Sequence, residues 1–217
     1  MLAREPVAGA VKTRLIPALG GAGAATLYRA FTEDLAAELG ARFPTTVACE
    51  PTGARPYFRR LGARYGLDLA DQGEGDLGAR MRRAAEDALA GARRVVILGS
   101  DAPTLPMDTV RAAFSALRGH RIVLGPSLDG GYYLLGLRLP VPDVFTRMPW
   151  GSARVFARTL TRLRRLGVAP ALLSPWYDVD TGDDVQLLAR HLRVLASCGQ
   201  RPCPRTTRAL ARLGVRA

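Results

Sequence analysis

Short apolar runs alternate along the chain with longer segments in which apolar side chains return every third or fourth position, the pattern of strands alternating with amphipathic helices. A stub at Leu2 and Ala3 precedes a Pro/Gly loop over 6–9, and a helix follows over about 21–39 with Leu27, Phe31, Leu35 and Leu39 on one face. Further strands are expected over 45–49, 67–70, 94–99, 121–124, 132–137 and 171–173, and helices over 54–61, 77–89, 107–117, 152–166 and 183–196. Arg94-Val95-Val96-Ile97-Leu98-Gly99 is the plainest strand, an unbroken apolar run that suits burial on both faces and stops at Ser100-Asp101. The alternation predicts an α/β fold, a mostly parallel sheet with helices on both faces. Neither a repeat nor a linker interrupts it, so residues 1–197 are expected to form one domain. Residues 198–217, with Arg201, Arg205, Arg208, Arg212 and Arg216, read as a basic C-terminal tail whose short helix lies exposed after a proline turn.

The 217 residues are 48% hydrophobic with a mean hydropathy of +0.04, and a chain of this size buries roughly 70% of its unfolded surface, which argues against disorder. No apolar run approaches the ~20 residues that cross a bilayer, and Met1 to Pro6 is too polar for a secretory leader, so a cytoplasmic protein is expected. Cys49, Cys198 and Cys203 show no CxxC spacing, and His120 and His191 are the two histidines. That set disfavours a structural zinc site or a disulfide framework and leaves a hard cation on carboxylates as the expected kind of metal. A net charge of +12 invites a nucleic-acid reading, but Lys12 is the sole lysine among 31 basic side chains, a compositional bias toward arginine. The pairs Arg82-Arg83, Arg93-Arg94 and Arg164-Arg165 fall in separate predicted elements, and aromatics at 6% do not interleave them. Nucleic acid is therefore disfavoured as a partner, and a solvated basic surface with some pull on phosphorylated small molecules is expected.

In an open α/β sheet ligands bind beyond the carboxyl ends of strands, and four segments fall there. The loop from Arg4 to Leu15 combines Gly9, where backbone can approach a ligand, with Lys12 and Arg14, a point charge and a planar fork for phosphate oxygens. A basic surface turn is the plain alternative. At Gly99-Ser100-Asp101-Ala102-Pro103 a strand delivers Asp101 to the sheet edge, as a ligand-binding carboxylate or as a helix cap. In Tyr177-Asp178-Val179-Asp180-Thr181 the two aspartates alternate, so an extended backbone points them the same way, toward a metal shared with Asp101 or toward capping the next helix. Asp129-Gly130-Gly131 is a hairpin turn on local grounds and a candidate lip of a pocket.

Six ordered segments carry a resemblance over nearly the whole chain. They are Pro6-Val7-Ala8-Gly9 with Val11-Lys12-Thr13-Arg14-Leu15; Gln72-Gly73-Glu74-Gly75-Asp76-Leu77-Gly78-Ala79-Arg80-Met81; Gly99-Ser100-Asp101-Ala102-Pro103-Thr104-Leu105; Gly125-Pro126 with Asp129-Gly130-Gly131-Tyr132-Tyr133; Pro149-Trp150-Gly151-Ser152; and Asp178-Val179-Asp180-Thr181. Together they resemble the bacterial glycosyltransferase-like family described as radical-SAM/selenodomain-associated or arsenosugar-biosynthesis transferases, within the nucleotide-diphospho-sugar transferase (GT-A) superfamily. Lys12-Thr13-Arg14-Leu15 is also similar to the Lys-Ser-Arg-Leu of the more distant phospholactate guanylyltransferases. Two departures are visible: fewer residues precede Pro6 than the family's full first strand needs, and Ser152 stands where many relatives have threonine.

The resemblance implies a Rossmann-like three-layer α/β/α sandwich and a metal-dependent transferase that uses a nucleotide. Nucleotidyl transfer from an NTP to a phosphorylated small acceptor, with release of pyrophosphate, is the leading expectation. Sugar transfer from an NDP-sugar is the alternative, and a non-catalytic nucleic-acid-binding protein the remote one. Lys12 and Arg14 would grip phosphates, and Asp101, with Asp178 or Asp180, would hold Mg²⁺ or Mn²⁺. Gly9, Gly75, Asp76, Gly78 and Arg80 would complete the nucleotide site. Asp129, Gly130, Gly131, Tyr132 and Trp150 would shape the acceptor pocket, Asp129 serving as base in the glycosyl alternative. The expected partners are the nucleotide and a small acceptor, with no membrane, and a homodimer is the assembly to test.

Overall fold

The alternation resolves into an α/β fold in a computed structural model that describes residues 1–215. In chain order the elements are β1 (Leu2–Arg4), α1 (Ile16–Gly40), β2 (Thr46–Glu50), α2 (Pro56–Tyr65), β3 (Asp68–Asp71), α3 (Leu77–Gly91) and β4 (Arg94–Leu98). They continue with α4 (Met107–Ala116), β5 (Ile122–Pro126), β6 (Tyr132–Arg138), α5 (Val155–Arg165), β7 (Ala171–Leu172), α6 (Gly182–Ser197) and α7 (Pro204–Arg212). The helix expected from about 21 begins in earnest there, because Gly20, at φ 69°, breaks the helical path inside α1.

Among the described residues the strands form two hydrogen-bonded ladders, β1-β2-β3 and β4-β6-β5-β7. Three of the five pairings are parallel, and β6 runs antiparallel to both of its neighbours. The reason is local: the turn through Asp129-Gly130-Gly131 returns the chain straight from β5 to β6, and a hairpin makes only antiparallel neighbours. β1 and β4 belong to separate ladders, and the Arg4 N–H at the end of β1 donates to the Tyr28 hydroxyl of α1 at 2.9 Å.

Strand alternation sorts side chains into the two cores of a three-layer sandwich. Leu98 and Val123 pack with Leu35, Phe58 and Val110, from α1, α2 and α4. Ile97, Ile122, Leu124, Leu135 and Leu137 pack with Met81 and Ala85 of α3 and Leu163 of α5. A third cluster joins Leu27 and Phe31 of α1 to Val185, Leu188 and Leu192 of α6 and to Ala209 and Leu210 of α7. This corrects the exposed-tail expectation for α7. Its helix forms, but Asp34, 2% exposed, accepts from the backbone N–H groups of Arg205 and Thr206 and anchors the helix start against α1. The arginine stripe concealed the fact that Thr206, Ala209 and Leu210 fall on one buried face. Among the described residues no helix is long and apolar enough to cross a membrane.

Candidate active site

The carboxyl ends of β1 and β4 border one cleft of about 690 Å³, where a doubly wound sheet is expected to take its ligand. Tyr28 fastens its floor: its hydroxyl accepts from the Arg4 N–H and from Ser100 Oγ, each at 2.9 Å, and so links the end of β1 to the loop that follows β4.

Lys12 stands at the centre. Its backbone is left-handed at φ 47°, a conformation that costs a non-glycine residue on the order of 1 kcal/mol. Its side chain is 5% exposed, and Nζ lies 2.7 Å from Asp101 Oδ1 and 2.7 Å from Asp180 Oδ1. Burial opposes the ammonium's charge, but Asp101 and Asp180 outweigh it and hold its pKa above the usual lysine range. Arg14 is exposed and reaches Asp180 Oδ2 at 3.8 Å. Both expected phosphate-binding cations thus face the cleft beside Asp101.

The third aspartate behaves differently. Asp178 accepts a 2.6 Å hydrogen bond from Ser127 Oγ. Burial first, and then the charges of Asp101 and Asp129, push its carboxyl up to about 7. Among the described residues no three His, Cys, Asp or Glu groups stand together at metal-holding spacing. Asp101 and Asp180 nevertheless converge on one cationic point, which suits a hard divalent ion that takes two protein carboxylates and completes its shell with water and phosphate oxygens.

Two contacts between loops set this spacing. The Val179 N–H donates to the Asp101 carbonyl at 2.9 Å, and Thr104 Oγ1 donates to the Tyr177 hydroxyl at 3.0 Å. Tyr177 in turn lies 2.7 Å from His191 Nδ1 on α6, so Thr104, Tyr177 and His191 form a chain behind the aspartates. The sequence reading missed these three, and Tyr28 and Ser127 with them. Each looks ordinary in its own segment, and the partners lie 14 to 73 positions apart.

The remaining candidates divide. Gly75, Arg80, Asp129, Gly131, Tyr132 and Trp150 line the cleft. Arg80 is tied down, with Nη1 2.8 Å from Glu50 Oε2 and Nε donating to the Gly75 carbonyl, so it holds the glycine turn in place. Gly9, Asp76, Gly78 and Gly130 do not line the cleft, and the last three hold neighbouring segments in place. Asp76 caps α3 by accepting from the Ala79 N–H at 2.8 Å. A Cβ on Gly78 would stand 2.5 Å from Trp150 Nε1 and 2.7 Å from the Phe145 carbonyl, so only glycine lets the indole lie against the start of α3. Gly130, at φ 89°, likewise presses on the Ala153 carbonyl. That contact clamps the hairpin to the strap that carries Trp150.

Comparison with known proteins bears on the family and the fold of the chain. The sequence profile of a bacterial family described as "Uncharacterized protein conserved in bacteria (DUF2064)" matches residues 35–152. The chain is 34% identical over 209 residues to the 3-phospho-D-glycerate guanylyltransferase of Phenylobacterium zucineum (strain HLK1), covering 91% of this chain and 81% of that protein. A crystal structure from Desulfovibrio desulfuricans G20, titled as a nucleotide-diphospho-sugar transferase, is similar with a TM-score of 0.86 and 33% identity, over 100% of this chain and 96% of the other. CMP:2-keto-3-deoxy-manno-octonic acid synthetase complexed with CTP shares the fold alone, with a TM-score of 0.52 and 11% identity over 91% of this chain and 97% of that one. The resemblance read from six motifs is borne out: the chain belongs to the bacterial DUF2064 family and has the fold of the nucleotide-diphospho-sugar transferases.

Proposed function

We propose that this protein transfers a nucleotidyl group from an NTP to a phosphorylated small acceptor. The observation that carries the reading is the buried Lys12 ammonium held between Asp101 and Asp180 on the floor of the inter-ladder cleft. Kinship with a guanylyltransferase supports it. A phosphate oxygen of the acceptor attacks the α-phosphorus. The bond from that phosphorus to the oxygen bridging the β-phosphate breaks, and pyrophosphate leaves with the electron pair. Such in-line displacement needs positioning and charge neutralisation rather than a protein nucleophile, and neither histidine lines the cleft. Lys12 and Arg14 neutralise phosphate oxygens, Tyr28 and Arg80 keep the two walls at their spacing, and Trp150 with Asp129 borders the acceptor.

Asp101 and Asp180 are the residues that would hold Mg²⁺ or Mn²⁺, with Asp178 beside them. When bound, a divalent ion supplies positive charge to the phosphates. A second reading, sugar transfer from an NDP-sugar, is favoured by one observation: Asp129 is exposed at the cleft wall, where a base for an acceptor hydroxyl would stand. The reading places the enzyme in the cytoplasm, and sedimentation would decide between a monomer and a homodimer. Product analysis tests the reaction, with 3-phospho-D-glycerate as the probe acceptor, each of four NTPs or common NDP-sugars, and Mg²⁺ or Mn²⁺. Pyrophosphate and a nucleotidylated acceptor are expected. Release of NDP without pyrophosphate would move the assignment to sugar transfer.

A further inference from the structure

A second concave site lies at the opposite end of β4, a groove of about 460 Å³ lined by Arg93, Arg94, Arg118, Arg138, Leu117 and Leu139. No carboxylate lines it, and none of its four arginines enters an ion pair among the described residues. Arg94 and Arg138 face each other directly across the antiparallel β4-β6 ladder, where like charges repel. Their forks are nonetheless held in place: Arg94 Nη1 donates to the Phe114 carbonyl at 2.7 Å, and Arg138 Nε donates to the His120 carbonyl at 3.0 Å. One edge of each guanidinium is spent on the backbone, and the remaining N–H groups are left for another acceptor. Leu117, 0% exposed, and Leu139, 60% exposed, supply an apolar floor and rim.

We propose that this groove is a binding site for a phosphate-bearing small molecule, separate from the catalytic cleft. The held guanidiniums of Arg94 and Arg138 match phosphate oxygens in pairs, Arg93 and Arg118 add charge that suits a multiply charged group, and the leucines suit a less polar remainder. The volume is in the range of small-molecule pockets. Five residues of β4 place the groove roughly 13 Å along the strand from its cleft end, so the two sites do not share side chains. The ligand's source is either free pyrophosphate or a nucleotide, and the two are separated by using each as probe.

The test uses the full chain in metal-free buffer at low ionic strength, with inorganic pyrophosphate and then ATP titrated calorimetrically and by melting temperature. Saturable binding that survives Lys12→Ala and weakens about tenfold or more in Arg94→Gln/Arg138→Gln is expected. Stronger binding of ATP than of pyrophosphate would assign the site to a nucleotide, and the reverse to the free anion. Should that variant fold poorly, Arg93→Gln/Arg118→Gln removes two guanidiniums that make no side-chain hydrogen bond among the described residues, and the same loss is expected. Binding that disappears with Lys12→Ala and persists in both arginine variants would overturn the proposal by sending the anion to the cleft. Absence of saturable binding, or capture of random-sequence DNA without any response to pyrophosphate or ATP, would overturn it as well. None of these outcomes depends on whether the cleft performs nucleotidyl transfer.

Discussion

The two ends of β4 handle charge in opposite ways. At the cleft end a buried ammonium sits between two carboxylates, each 2.7 Å away, while a third carboxyl has its pKa raised beside them. At the far end two arginines oppose each other across the ladder, and among the described residues no carboxylate lines their groove. The difference teaches that net charge says little about function in this chain. With +12 overall, its proposed chemistry is concentrated where acidic side chains are brought together against the background, and a basic cluster gains meaning only where its counter-ions are missing.

The largest way to break the contrast is Lys12→Ala, which leaves Asp101 and Asp180 facing each other with the exposed Arg14, 3.8 Å from Asp180, as the remaining neighbouring cation. Turnover in the proposed transfer should fall about 100- to 1,000-fold, and triphosphate affinity should drop more than nucleoside affinity, measured by steady-state kinetics and calorimetry. Equal losses for both ligands would indicate a collapsed loop instead.

Asp178 sharpens it next. Burial and the neighbouring charges of Asp101 and Asp129 raise its pKa from an ordinary 3.8 to about 7, so the folded state holds this proton more tightly than the unfolded chain does. The resulting stability is full below about pH 4 and is lost as the pH rises through about 7, by at most on the order of 4 kcal/mol. Urea midpoints across that window should show the decline, and Asp178→Asn should flatten it and be the more stable protein at pH 8.

How much of this was legible depends on how local each signal is. β4 and Asp101 declare themselves because an apolar run ends in a carboxylate, and Lys12 stands out as the chain's sole lysine. Sequence alone does not show that Arg80, expected to help complete the nucleotide site, also contacts Glu50 and the Gly75 carbonyl through its guanidinium. Likewise Tyr177 has no local pattern. Its meaning lies in Thr104, 73 positions away, and only the folded topology brings them together. Tyr177→Phe should therefore lower turnover about tenfold and cost about 1–2 kcal/mol of stability, with a smaller change in nucleotide affinity.

The smallest expected effect is at the far end. Arg138→Gln removes one side of the cross-strand repulsion and should raise stability by roughly 0.2–1 kcal/mol at low salt, with the gain shrinking as salt is added. An unchanged or lowered urea midpoint at low salt would show that the carbonyl contacts of the two arginines outweigh their repulsion.

The Lys12, Asp101 and Asp180 cluster is proposed to bind a nucleoside triphosphate. Calorimetric titration of wild-type protein and Asp101→Asn with each NTP in the presence of Mg²⁺ tests it most directly, with circular dichroism confirming that both are folded. Asp101 is 44% exposed at its side chain, so the variant should fold normally while metal-dependent binding of the preferred NTP falls below detection. Normal affinity in Asp101→Asn would show that this cluster does not bind the triphosphate.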